Sequence, residues 1–90
     1  MKESVRLLIS GIVQGVFYRK TAHEKAESLG ITGYIRNNPD GEVEIYAEGE
    51  KEALVELIAW CQKGPPHARV REVVVDWQGS ADRYRTFQVV

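Results

Sequence analysis

The chain has 90 residues, 43% of them hydrophobic and 28% charged, with 12 Lys and Arg against 13 Asp and Glu for a net charge of -1. Such a composition excludes a disordered tail and does not call for a nucleic-acid or anionic-membrane partner, while a local positive spot for a small anion stays open. The length predicts one domain, residues 1–90, with a modest core.

Val5, Leu7 and Ile9 alternate with Arg6, Leu8 and Ser10, which predicts a first strand over about Ser4 to Gly11. The same N-terminal stretch carries Lys2, Glu3 and Arg6 and no long apolar run, so neither a signal peptide nor a membrane span is expected, and the cytoplasm is the expected location. Gly11 and Gly15 break the alternation. Tyr18, Ala22, Ala26 and Leu29 then recur at helical spacing opposite Lys20, Glu24, Lys25 and Glu27, predicting a first helix over Tyr18 to Leu29, with Gly30 as its stop.

Ile31 to Asn37 reads as a second strand, Asn38-Pro39-Asp40-Gly41 as a tight turn, and Val43, Ile45 and Ala47 as the inward face of a third strand ended by Gly49. Glu42, Glu44 and Glu48 are expected on a solvated sheet face. Leu54, Leu57, Ile58 and Cys61 form the stripe of a second helix over Glu50 to Gln62, which Gly64-Pro65-Pro66 stops. Cys61, the lone cysteine, has no partner for an intramolecular disulfide, and its place on the stripe predicts a buried, inert thiol. Val70 to Trp77 is expected as a fourth strand, its Val73-Val74-Val75 run suggesting a bulge or burial on both faces, with Gly79 to Asp82 as a loop and Phe87 and Val89 in a short fifth strand.

The order β-α-β-β-α-β plus a terminal strand is that of an α+β, ferredoxin-like split β-α-β sandwich: an antiparallel-dominated sheet with both helices on one face. That fold hosts many functions, so the chemistry has to come from the site. The informative stretch is Gly11 to Thr21. A strand ends, a glycine turn follows, and a helix begins with Arg19 in its first turn. Unpaired amides at such a helix start favour an anion, the glycines let it approach, and the arginine fork can hold two phosphoryl oxygens. On local spacing alone, a tight turn followed by a solvated arginine is the weightier reading. A Walker loop, a dinucleotide fingerprint and a cysteine phosphatase are excluded, since the required glycine or thiolate is absent and Val13 stands where the thiolate would be.

Val13-Gln14-Gly15-Val16-Phe17-Tyr18-Arg19 resembles the signature loop of the acylphosphatases, usually VQGVxFR, and Gly33-Tyr34-Ile35-Arg36-Asn37 with Asp40-Gly41 and Val43-Glu44 resembles the family's second motif. Tyr18 replaces the usual Phe and Tyr34 a common Trp; Tyr18 gains a hydroxyl that needs a partner. The resemblance implies metal-free hydrolysis of a carboxyl-phosphate anhydride. The backbone of Gln14, Gly15, Val16, Phe17, Tyr18 and Arg19 would cradle the phosphate, Arg19 would bind the phosphoryl group, and Asn37 would orient the attacking water. The implied partner is a small acyl phosphate, with no cofactor, metal, nucleic acid or membrane, and a monomer is expected. The alternative is a non-enzymatic anion- or RNA-binding module of the same fold. His23, His67, Trp60 and Trp77 are read as ordinary helix, loop and packing residues, and Arg69, Arg71, Arg83 and Arg85 as members of surface ion pairs.

Overall fold

The computed structural model describes residues 2–90. Seven elements follow one another: β1 (Glu3–Ile12), α1 (Tyr18–Ser28), β2 (Thr32–Asn37), β3 (Val43–Gly49), α2 (Lys51–Lys63), β4 (Arg69–Ser80) and β5 (Phe87–Val89). They build one sheet in the order β4-β1-β3-β2-β5, antiparallel except for the β2–β5 pair. This is the expected ferredoxin-like arrangement.

Strand direction decides where the functional loops fall. β1 and β2 both pair antiparallel with β3, so they run the same way and end at the same edge of the sheet. Val43 makes the link explicit: it faces Ile9 on one side and Asn37 on the other. The loop after β1 and the last residue of β2 are therefore neighbours in space, although eighteen residues separate Arg19 from Asn37 in sequence.

The alternation read from the sequence sets the core. Val5, Leu7 and Ile9 of β1, Val43, Ile45 and Ala47 of β3, and Ile35 of β2 are fully buried with Ala22 and Ala26 of α1 and Leu54, Leu57 and Cys61 of α2. Each such large aliphatic side chain contributes about 1.5–3 kcal/mol of burial. Tyr18 joins the helices: its ring meets Trp60 at 5.3 Å, and its hydroxyl donates to the Cys61 carbonyl oxygen at 2.7 Å. The hydroxyl added by this tyrosine is thus satisfied inside the core. Burial pushes the Tyr18 phenol well above its usual range and lifts the Cys61 thiol to about 12, so the thiol is inert as expected.

Two expectations fail on the side of the sheet away from the helices. Glu44 and Glu48 do not lie on a solvated face: they are 2% and 0% exposed. Glu44 accepts hydrogen bonds from Tyr34 at 2.6 Å and from Arg6, Arg36 and Asn38. Glu48 accepts from the Tyr46 hydroxyl at 2.7 Å and from the backbone N–H groups of Arg83 and Tyr84 at 2.8 and 2.9 Å. Glu48 lies under a strap, residues 81–86, which folds across this face and carries Tyr84 onto the rings of Tyr34 and Tyr46, at 6.0 and 5.4 Å, while Glu44 is enclosed by the side chains that donate to it. Burial alone would raise both carboxyls. The hydrogen bonds win, holding Glu44 at about 2 and Glu48 below its usual value.

β4 runs further than its sequence suggested and takes in Gly79 and Ser80, because β1 starts early enough to pair Glu3 with Ser80 and Ser4 with Gly79. Its valine run is neither bulged nor buried on both sides. It pairs regularly with Ile9, Leu8 and Leu7, while the register shifts fall between Ser4 and Val5 and between Ser10 and Gly11. β4 is an edge strand, which leaves Trp77 41% exposed instead of packed. Of the C-terminal arginines, Arg83 pairs with Glu48, but Arg69, Arg71 and Arg85 make no ion pair among the described residues.

Candidate active site

The loop between β1 and α1 carries an unusual backbone. Gly15 has φ 74° and Phe17 φ 65°, with Val16 at negative φ between them. For glycine that conformation is free; for a phenylalanine it costs about 1–2 kcal/mol. Alternation of sign along φ turns successive N–H groups into one concavity, the geometry of an anion nest. Phe17 is 72% exposed, so its side chain gains little by being there. Its carbonyl oxygen accepts bonds from the Thr21 N–H at 3.1 Å and the Thr21 hydroxyl at 2.8 Å, which hold the strained turn.

α1 begins on this loop with no side-chain cap and no acidic residue in its first turn. The orphan amides of that turn and the positive end of the helix dipole face outward uncompensated. Arg19, half-buried, sits there and makes no hydrogen bond or ion pair among the described residues. Gln14 points elsewhere. Its side-chain amide donates to the carbonyl oxygens of Asn38 at 2.8 Å and Glu42 at 2.9 Å, fastening the loop to the β2–β3 hairpin.

Asn37 lies on the helix-facing side of β2, since it shares the face of Ile35 and Gly33. Its Oδ1 is buried and has no hydrogen-bond partner. A cleft of about 390 Å³ brings Asn37 together with Gly15, Phe17 and Arg19. Val13, Tyr18 and Val89 complete its apolar wall, and Lys20 and His23 also line it. No acidic side chain does. The sequence placed His23 on an exposed helix face; it is half-buried, one turn after Arg19 on the same side of α1. The four-residue spacing carried that signal. His67 is exposed, as expected. Among the described residues no cluster of three His, Cys, Asp or Glu side chains could hold a metal ion. No helix among them is long and apolar enough to cross a membrane.

An uncapped helix start, a guanidinium with no partner among the described residues and a buried, unpartnered amide oxygen meet at one end of a split β-α-β sheet, a set suited to a small anion. Comparison with known proteins makes this specific. The sequence pattern of the acylphosphatase family matches residues 5–89. An acylphosphatase of Rubrobacter xylanophilus is 51% identical over 85 residues, 94% of this chain and 77% of its own. One from Methylococcus capsulatus is 46% identical over 86 residues, covering 96% and 94% of the two chains. The crystal structure of the Bacillus subtilis acylphosphatase superposes with a TM-score of 0.94 at 31% identity, over 100% and 99% of the two chains. The chain belongs to the acylphosphatase family, and its activity is the hydrolysis of acyl phosphates.

Proposed function

We propose that the loop of Gln14 to Arg19 holds the phosphoryl group, that Arg19 neutralises its charge, and that Asn37 orients the attacking water. The observation that carries this reading is the unpaired, buried Oδ1 of Asn37 in the same cleft as the unpaired guanidinium of Arg19. A buried acceptor without a partner costs about 1–3 kcal/mol, and of the two such oxygens among the described residues, on Thr32 and Asn37, only that of Asn37 belongs to a residue lining the cleft, where a ligand can pair with it.

Catalysis then rests on position and charge. The backbone nest and Arg19 bind the non-bridging oxygens, where charge gathers in the transition state. The Oδ1 of Asn37 accepts a hydrogen bond from one O–H of the water, which stays bonded to oxygen, and so aims the water's lone pair at phosphorus. An amide is no base near neutral pH, so the water's second proton passes to a phosphoryl oxygen of the substrate. The leaving carboxylate has an ordinary pKa of about 4 and departs without a general acid. This account needs no metal or cofactor. The chain is proposed to act as one domain and as a monomer, and its lone buried thiol fits a reducing cytoplasm.

Hydrolysis of benzoyl phosphate by the wild type and by Arg19→Ala, both in EDTA, tests the reading. Activity that survives the chelator and collapses with the arginine is the expected result. Wild-type activity abolished by EDTA, or an unimpaired Arg19→Ala, would overturn it.

A further inference from the structure

The cleft is larger than a phosphoryl group requires, and it carries charge that the reaction at phosphorus does not use. α1 rises 1.5 Å per residue, so His23 follows Arg19 by about 6 Å along the helix axis. The imidazole is fixed in place: its Nε2 lies 3.4 Å from a Glu27 carboxylate oxygen, and its ring rests against Phe87 of β5 at 6.0 Å. Nδ1 has no partner among the described residues. Between Arg19 and His23 the wall is apolar, through Phe17, Val13 and Val89. An arginine at one end, an imidazole with an unpartnered Nδ1 at the other, an apolar middle and no lining carboxylate among the described residues match a molecule with an anionic group at each end of a short carbon frame.

We propose that His23 is a specificity-determining residue, and that the enzyme prefers acyl phosphates whose acyl group carries a second anionic group, such as a distal carboxylate. The phosphoryl group sits at Arg19, the carbon frame lies along the apolar wall, and His23 donates a hydrogen bond to the distal anion. Lys20, exposed at the mouth, adds attraction without a fixed contact. This deepens the assignment of Arg19 to the phosphoryl group and rests on it.

The test is kcat/KM for 3- and 4-carboxybenzoyl phosphates against the 3- and 4-methylbenzoyl phosphates, which have nearly the same shape and no second charge. Their rigid rings keep the carboxylate from attacking its own anhydride. The wild type should favour at least one carboxylated substrate. His23→Gln should lower that ratio about ten-fold, as expected for one hydrogen bond to a charged group, acting mainly through KM. A ratio within two-fold of wild type overturns the proposal; because each ratio is taken within one protein, a partly unfolded variant does not distort it. Arg19→Ala on the methylated substrates separates the two assignments. If it is inactive and the His23→Gln ratio is unchanged, only the acyl-group assignment fails. If it retains wild-type activity, the phosphoryl assignment fails and this one with it.

Discussion

Asn37→Ala tests the site on two axes at once. The side chain contributes no hydrogen bond that holds the fold together, and its Oδ1 is buried and unpaired. Its backbone stays in register opposite Val43 whatever the side chain. Truncation opens space into a cleft that already communicates with solvent, so no sealed cavity forms. The folded state should therefore lose nothing and gain up to about 1 kcal/mol, part of the cost of an unsatisfied acceptor that water only partly relieves. Catalysis should move the other way. A water that loses its orienting acceptor by an ångström or so costs about 100-fold, or about 2.7 kcal/mol at 1.36 kcal/mol per factor of ten. The loss should appear in kcat, while inorganic phosphate, held by Arg19 and the backbone, inhibits within about three-fold of its wild-type Ki. Urea denaturation and steady-state hydrolysis of benzoyl phosphate give the numbers. A stability loss above about 2 kcal/mol, or phosphate affinity falling in step with kcat, would refute the separate role assigned to Asn37.

Arg19→Ala should lower kcat/KM by at least the 10²–10³ typical of one oxyanion donor, with Arg19→Lys recovering only part because it restores the charge without the fork; full activity in the lysine variant would show that geometry is irrelevant. Glu44 titrates at about 2 in the fold against an ordinary 4.5, so it stabilises above the unfolded value and loses that contribution as pH falls from about 4.5 toward 2. The urea midpoint of the wild type should drop over that window, more steeply than that of Glu44→Gln, and equal slopes would contradict the assignment. Gly33 has φ 138°, and a Cβ there would run into the Tyr46 carbonyl oxygen. Gly33→Ala should cost about 3 kcal/mol or more from backbone strain and overpacking together, read as a fall in Tm of more than about 12 °C.

The sheet and helices were legible because they rest on periodicity. The alternation of Val5, Leu7 and Ile9, and the spacing of Tyr18, Ala22 and Ala26, carry the same information in one dimension as in three. The proximity of Asn37 to Arg19 was legible only through the family resemblance and not from periodicity, because it follows from strand direction, and no local pattern records that β1 and β2 both run antiparallel to β3. Glu44 and Glu48 misled for a related reason. Their alternation correctly put them opposite the core, but Glu48 is covered from residues 81–86, a stretch with no periodicity of its own, and Glu44 by the side chains of Arg6, Tyr34, Arg36 and Asn38. A buried glutamate and a solvated one look alike until their donors are found. His23 was misjudged because an isolated histidine on a helix is usually solvated; its four-residue offset from Arg19 mattered only once Arg19 was known to face a cleft.

The two faces of the sheet divide labour. Away from the helices, each carboxylate collects several donors, and residues 81–86 are locked down by the backbone bonds to Glu48. At the end of the helix-covered face, the fold holds a phenylalanine at positive φ, an arginine without a counter-ion and a buried amide oxygen without a donor. Each of these costs stability on its own, and together they amount to several kcal/mol by the ordinary scale of strain and unsatisfied groups. A 90-residue chain has a small margin to spend on such features, since folded domains are stable by only about 5–15 kcal/mol. The well-bonded face offsets the unsatisfied one, which implies that repairing the active site would raise stability at the expense of turnover. It also implies that weakening Glu48 should lower the unfolding midpoint while leaving kcat untouched. Glu48 sits at the far end of β3 from Val43, which lies beside Asn37.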